Sequence, residues 1–128
     1  MLVGWMTYSH RIDGFLFWIV NRWYAGNGKI DERETFFPQW REIEASQECP
    51  GDGVFLYPGR SHILPSVRLA SVRDGVEDYE WLQLAGRRDP AATAEAIARV
   101  TTGMTKWDPS PAALRAARSL LADIIERK

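Results

Sequence analysis

The sequence predicts an α/β fold, and two features of the chain support this prediction. The first is a pair of short segments, 14–20 and 53–57, that are apolar throughout and do not alternate, as in strands buried on both faces. The second is a series of amphipathic helical patterns after residue 66. Each strand follows an Asp-Gly turn, and about thirty residues separate the two strands, which favours parallel pairing through a crossover. Such strands need helices on both sides or a closed barrel.

Four helices are predicted in order along the chain. The first covers 2–10 and ends before the turn at Asp13-Gly14. The other three are each opened by a capping residue: Ser66, Asp89-Pro90 and Ser110-Pro111 precede helices over 67–86, 90–101 and 111–127. Apolar residues at helical spacing predict the buried faces of two of them: Leu69, Val72, Val76, Tyr79 and Leu82 on one, and Leu114, Ala117, Leu121 and Ile124 or Ile125 on the other.

Length and charge limit the domain count and the classes of partner. The chain has 128 residues and a formal net charge of −1, so we expect a single domain over 1–128. Without a concentrated basic field we expect no nucleic-acid partner and no anionic membrane partner. The longest purely apolar run, 15–20, is too short to cross a bilayer, and the first ten residues do not resemble a signal peptide.

The sequence contains no pattern for a metal or cofactor site. Cys49, His10 and His62 lie in separate segments without metal-ligand spacing. A phosphate-binding loop and the nucleophile elbow of serine hydrolases are also missing. We therefore expect no metal and no cofactor.

Two adjacent acidic pairs are the candidates for acid–base chemistry. Asp31-Glu32 lies in a polar loop, and Glu77-Asp78 lies on the predicted helix over 67–86. Catalytic carboxylates need a rigid support and surroundings that shift their pKa, which a solvated loop does not offer. On the helix, Glu77 is spaced to pair with Arg73 at the surface. We predict no catalytic residue in either pair.

Aromatic residues at the strand ends are the better candidates for ligand binding. Trp18, Asn21, Trp23 and Tyr57 lie at or just beyond the two predicted strands. Sugars present flat C–H faces that pack on aromatic rings, and asparagine can hydrogen-bond to hydroxyl or acetamido groups. The alternative for the two tryptophans is that they fill the end of the sheet or cover the long loop. Tyr57 is the strongest candidate, because a Pro-Gly turn follows it at the end where α/β folds bind ligands.

Three blocks of the sequence together resemble one family. They are DGFLFWIVNRW at 13–23, GDGVFLYPG at 51–59 and PSVRLASVRDGVEDYEWL at 65–82. In this order they resemble the C-terminal region of bacterial glycoside hydrolases that carry domain of unknown function 4091. That family is similar to glycoside hydrolase family 123, the β-N-acetylgalactosaminidases. The chain departs from the resemblance at Ala70, where a glutamate would be expected.

The resemblance implies a (β/α)8-like barrel whose last two strands correspond to 14–20 and 53–57. A full barrel needs about 250 residues, so the chain resembles the last two β/α units, over 1–86, followed by a C-terminal helical tail over 87–128. The implied catalysis is substrate-assisted: the acetamido oxygen of the sugar attacks the anomeric carbon, helped by an adjacent Asp-Glu pair. That pair belongs to an earlier barrel strand.

Two hypotheses about function follow from the residues and the resemblance. The first is a portion of a glycoside-hydrolase-like protein that acts on N-acetylhexosamine-containing glycans, such as those with N-acetylgalactosamine, and that is inactive in isolation. The alternative is a carbohydrate-binding or protein-interaction module that uses the aromatic strand ends. Because two parallel apolar strands expose their edges, we also expect a homodimer or higher homo-oligomer. Its interface would include 14–20 and part of the loop at 21–50.

Overall fold

The computed structural model describes residues 2–17, 20–21, 24–25, 28–29, 55–58, 61–108 and 110–127. Within these ranges the chain is mixed α/β, with helices and short two-stranded antiparallel sheets. It forms two compact units, one built from residues 1–15 and 72–128 (the terminal unit) and one from residues 16–71 (the middle unit). No helix within the described ranges combines the length and the apolar character needed to cross a bilayer.

The described helices and strands are short, apart from two long helices in the second half. The helices are α1 (Val3–Ser9), α2 (Val67–Arg88), α3 (Pro90–Val100) and α4 (Pro111–Glu126). The strands form three hairpins: β1 (Tyr24–Ala25) with β2 (Gly28–Lys29), β3 (Leu56–Pro58) with β4 (Ile63–Pro65), and β5 (Thr101–Gly103) with β6 (Lys106–Trp107).

The predicted capping residues begin the three longer helices. The Ser66 hydroxyl oxygen accepts a hydrogen bond from the Leu69 N–H at 3.1 Å, at the start of α2. Asp89 Oδ1 accepts one from the Ala92 N–H at 2.9 Å, and the Ser110 hydroxyl accepts one from the Ala113 N–H at 3.2 Å. Each bond satisfies one of the backbone donors that a helix leaves unpaired at its first turn. The positions predicted for the starts of α2, α3 and α4 are therefore confirmed.

The core of the terminal unit lies where its four helices meet. On α4 the predicted stripe is confirmed, with Ala117, Leu121 and Ile124 buried. On α2 the prediction for Val76 is wrong, because this side chain is 55% exposed. The fully buried apolar cluster contains Trp5, Leu82, Ala85, Ala96, Val100, Ala117, Leu121 and Ile124.

The buried face of α2 is displaced from its apolar stripe because α1 packs closely against it. Gly75 and Asp78 are buried on this face, and Gly4 of α1 lies opposite Gly75. A Cβ atom on Gly4 would overlap the Gly75 carbonyl oxygen and would lie 3.0 Å from the Tyr79 backbone nitrogen. Only glycine permits the two backbones to approach this closely. Gly4 therefore determines which side of α2 is covered by α1.

The predicted strand at 14–20 is not a strand where the structure describes it. Residues 12–17 have no regular structure, and Phe15 and Leu16 are 50% and 85% exposed. The second predicted strand exists as β3, but it pairs antiparallel with β4 through a short connection. The N–H groups of Phe55 and Leu56 both donate to the Val20 carbonyl oxygen, at 2.9 and 3.0 Å. The described sheets therefore contain no parallel pair, because β4 satisfies the backbone of β3 from a nearby part of the chain.

Candidate functional site

The candidate site of the middle unit is centred on Tyr57 in the β3–β4 hairpin. Tyr57 lies opposite Leu64 in the ladder and is half-buried. Its phenolic oxygen accepts a hydrogen bond of 2.9 Å from Nη1 of Arg68. Arg68 stands in the first turn of α2, and the Ser66 N–H just before that turn donates to the Phe55 carbonyl oxygen at 2.9 Å. The hairpin thus brings the chain back to the residue before β3. It thereby places the Arg68 guanidinium against the Tyr57 phenol.

Asn21 lies next to this hairpin in the backbone. It directly follows Val20, whose carbonyl oxygen accepts from Phe55 and Leu56, the two residues before Tyr57. The Asn21 side chain is exposed. The structure therefore places the backbone segments that carry two of the four predicted substrate-binding residues side by side. The other two, Trp18 and Trp23, lie outside the described residues.

A stacked aromatic pair includes the residue just before β3 and was not predicted. The rings of Phe17 and Phe55 lie 4.1 Å apart between centroids, with an interplanar angle of 12°. Phe55 is buried, so the stack anchors the segment that leads into β3. The sequence placed Phe17 and Phe55 on separate strands, and nothing in their local patterns indicates that they face each other.

The connection between β3 and β4 carries a further titratable ring of the middle unit, that of His62. His62 is exposed, and its Nδ1 lies 3.1 Å from the Ser61 hydroxyl oxygen. No group of three or more histidine, cysteine, aspartate or glutamate side chains within the described ranges is arranged to hold a metal ion. Cys49 lies outside those ranges.

The Glu77-Asp78 pair is divided between the core and the solvent. Asp78 is buried and accepts hydrogen bonds from Nε1 of Trp5 at 2.8 Å and from Nε and Nη2 of Arg118 at 2.6 and 2.9 Å. The hydrogen bonds with the Asp78 carboxylate are the main cause of a raised pKa of the Arg118 guanidinium. Glu77 is exposed and lies 3.7 Å from Arg73, which confirms the predicted surface pair. The two carboxylates therefore do not face a common site, and Asp31-Glu32 lies outside the described residues.

Comparison with protein families identifies the chain. Its residues 1–85 match the catalytic domain of glycoside hydrolase family 123, a range that includes α1, the β3–β4 hairpin and nearly all of α2. All three blocks of resemblance, at 13–23, 51–59 and 65–82, fall within it. No curated protein matches the chain. Because the match covers about two thirds of its length, the chain belongs to glycoside hydrolase family 123.

Proposed function

We propose that the chain supplies part of the sugar-recognition surface of a glycoside-hydrolase-like protein that acts on N-acetylhexosamine-containing glycans. Membership of the family supports the glycoside-hydrolase-like function. The finer assignment depends on one observation, the Tyr57 phenol held by Arg68 in a hairpin whose first residues hydrogen-bond to the backbone just before Asn21. We further propose that these β/α elements derive from the end of a (β/α)8-like barrel.

The chemistry of Tyr57 and Asn21 suits an N-acetylated sugar. An asparagine amide carries both a donor and an acceptor, as the acetamido group of the sugar does, so the two can pair through complementary hydrogen bonds. The tyrosine ring offers a flat apolar face with a polar edge, which suits the C–H face of a pyranose ring. A sugar with a hydroxyl in place of the acetamido group would leave the asparagine less completely paired.

The support around Tyr57 holds it in one position before any ligand arrives. The ladder with Leu64 fixes its backbone, and the Arg68 guanidinium fixes the far end of its ring. Arginine is a donor only, so the phenolic oxygen must be the acceptor in this bond. A side chain already ordered in the free protein loses less conformational freedom on binding. We assign Arg68 as a positioning residue for Tyr57.

Titration with N-acetylgalactosamine, followed by tryptophan fluorescence, tests the sugar site. We expect saturable binding that weakens about tenfold in Tyr57→Ala and less in Tyr57→Phe, which keeps the ring but loses the Arg68 contact. Asn21→Ala should reduce the preference for N-acetylgalactosamine over galactose. Trp107→Phe, an exposed aromatic of β6, is the matched control and should bind as the wild type does. Equal affinity in Tyr57→Ala and wild type would contradict the proposal.

We propose that the chain alone does not turn over substrate, because Glu77 and Asp78 have structural partners and point into different surroundings. A chromogenic β-N-acetylgalactosaminide incubated with the purified chain should therefore release no chromophore above background. Turnover that disappears in Glu77→Ala or Asp31→Ala would place the acid–base chemistry in this chain and overturn the assignment.

The alternative function, a protein-interaction module, is favoured by exposed apolar side chains in the middle unit. Leu16 and Val67 are 85% and 83% exposed, and both lie outside the core cluster.

We propose self-association through the segment at 14–20. Light scattering on the purified chain should give a dimer or larger species, which Leu16→Lys shifts towards monomer. Leu84→Lys, at an exposed leucine of α2, is the control that should leave the oligomer intact. A monomeric wild type at tens of micromolar would contradict this proposal.

A further inference from the structure

A cleft of about 580 Å³ lies within the terminal unit, at the C-terminal end of α1 and beside α2 and α3. None of its lining residues belongs to the Tyr57 hairpin. Its volume falls in the range of small-molecule sites, about 300–1,000 Å³. The residues that matter for its chemistry are Tyr8, Arg11, Asp13, Tyr79, Gln83 and Ile97.

One wall of the cleft combines aromatic rings with an amide. Tyr8 and Tyr79 pack edge to face, with ring centroids 6.1 Å apart and an interplanar angle of 71°. Gln83 Nε2 donates to the Tyr79 phenolic oxygen at 2.8 Å. That bond makes Tyr79 an acceptor and leaves its own O–H able to donate. Within the described residues, the amide oxygen of Gln83 makes no hydrogen bond. The wall therefore presents one donor and one acceptor beside two rings.

Arg11 is held at the edge of the cleft in a conformation that normally favours glycine. The N–H groups of Arg11 and Ile12 donate to the carbonyl oxygens of Tyr8 and Thr7, at 3.2 and 2.9 Å, and so close the C-terminus of α1. This motif places Arg11 in the left-handed region, with φ of 52°, where a side chain strains the backbone. The Arg11 guanidinium makes no ion pair or hydrogen bond within the described part of the chain. Among the described residues, no polar contact of this side chain offsets the strain.

Asp13 completes the polar edge. It lies two residues after Arg11, lines the same cleft and is exposed. No ion pair joins Asp13 to Arg11 or to another described cation. A guanidinium offers donors only and a carboxylate acceptors only, and their charges cancel. Together they suit a neutral ligand whose neighbouring groups both donate and accept, which is the property of vicinal hydroxyls.

We propose that this cleft is a second saccharide site, which binds a neutral monosaccharide or disaccharide independently of the Tyr57 hairpin. The tyrosine rings and Ile97 would contact the apolar face of the sugar ring. Arg11, Asp13 and the free amide oxygen of Gln83 would pair with its hydroxyls. A zwitterionic amino acid could also satisfy the two opposite charges, but it would leave the Tyr79 O–H and the Gln83 amide oxygen unmatched.

Amide chemical-shift mapping on the ¹⁵N-labelled wild-type chain tests the location and the ligand class. The probes are methyl β-galactoside, methyl β-glucoside and N-acetylgalactosamine, with L-valine as the zwitterionic comparison. We expect at least one sugar to shift amides of residues 7–13 and 79–83 in a saturable way below about 50 mM. Shifts confined to the surroundings of Tyr57 and Asn21, shifts with valine alone, or no shifts at all would overturn the proposal.

Arg11→Gly separates a ligand-binding role from a structural one. Removing the side chain relieves the left-handed strain, so the melting temperature should rise by about 2–4 °C. Sugar affinity should nevertheless fall about tenfold, because the guanidinium contacts are lost. Unchanged affinity would overturn the proposal.

Two further variants serve as controls for this site. Arg115→Ala, at an exposed arginine of α4 outside the cleft, should leave sugar affinity unchanged. Tyr57→Ala should also leave binding in the cleft intact, so that failure of one sugar site is distinguishable from failure of the other. If Tyr57→Ala abolished all sugar-induced shifts, the cleft would not be an independent site.

Discussion

Replacing Gly4 by alanine is expected to destabilise the protein by about 3 kcal/mol or more. The new Cβ would overlap the Gly75 carbonyl oxygen and also approach the Tyr79 backbone nitrogen. Both obstacles are backbone atoms of α2, so neither can rotate away as a side chain could. Relief requires α1 to move off α2, which would expose Trp5, now completely buried.

Urea unfolding followed by tryptophan fluorescence measures this effect, with Gly14→Ala as the matched control. A Cβ on Gly14 would meet nothing within 4 Å, so this variant should stay within about 1 kcal/mol of the wild type. If Gly4→Ala were as stable as Gly14→Ala, this result would contradict the close contact between the backbones of α1 and α2. A normal unfolding slope in Gly4→Ala would show that the remaining fold is still cooperative.

Replacing Asp78 by asparagine is expected to cost about 3 kcal/mol. The change removes the negative charge but keeps the size of the side chain, so the bidentate contact with Arg118 loses its charge complement. The Trp5 N–H, which donates to Asp78 Oδ2, keeps only a weaker neutral acceptor. The Arg118 side chain is about one third exposed, which lets water screen part of the loss and keeps the expected cost below that of a fully buried pair.

The control and the double variant identify the origin of that cost. Glu77→Gln, next to Asp78 but exposed, should change stability by no more than about 0.5 kcal/mol. Adding Arg118→Met to Asp78→Asn should recover part of the loss, because the guanidinium no longer lacks a charged partner. If Asp78→Asn and the double variant both melted as the wild type does, the buried ion pair would not stabilise the terminal unit.

The helices could be predicted from the sequence because their causes are local. A cap such as Ser110 acts on a backbone N–H three residues away, and the apolar spacing of α4 extends over only a few turns. The exposure of Val76 could not be predicted in this way. It depends on Gly4, about seventy residues earlier, and a glycine does not mark a buried face in an apolar pattern.

The strands were less predictable, because the apolar content of a strand does not indicate which other segment it will pair with. The run before Trp18 is as apolar as a buried strand, yet Leu16 is exposed where the structure describes it. β4 ends in Pro65, a residue that argues against a strand interior. At the last position of a two-stranded ladder, its missing N–H costs little. The hairpin β5–β6 also lacks an alternating pattern and was not predicted.

For the candidate site, the sequence indicated residue types but not their arrangement. Tyr57 and Asn21 were predicted separately, and the Val20 carbonyl that brings their segments together is a backbone contact with no sequence pattern. The Arg68 contact with Tyr57 spans 11 residues and depends on the hairpin turning back to the start of α2. The polar cleft could not be predicted either, since its residues come from three helices and the turn after α1.

The contact between Trp5 and Asp78 determines the order in which the chain can fold during its synthesis. The two residues are 73 positions apart, which corresponds to roughly 4–15 s of translation. Until then α1 lacks the surface that buries it, and seven residues are too few for a stable isolated helix. The family match ends at residue 85, before Arg118 is made. The terminal unit must therefore close late, when its last helix meets its first, and a nascent chain stopped at the family boundary would leave Asp78 without its cation.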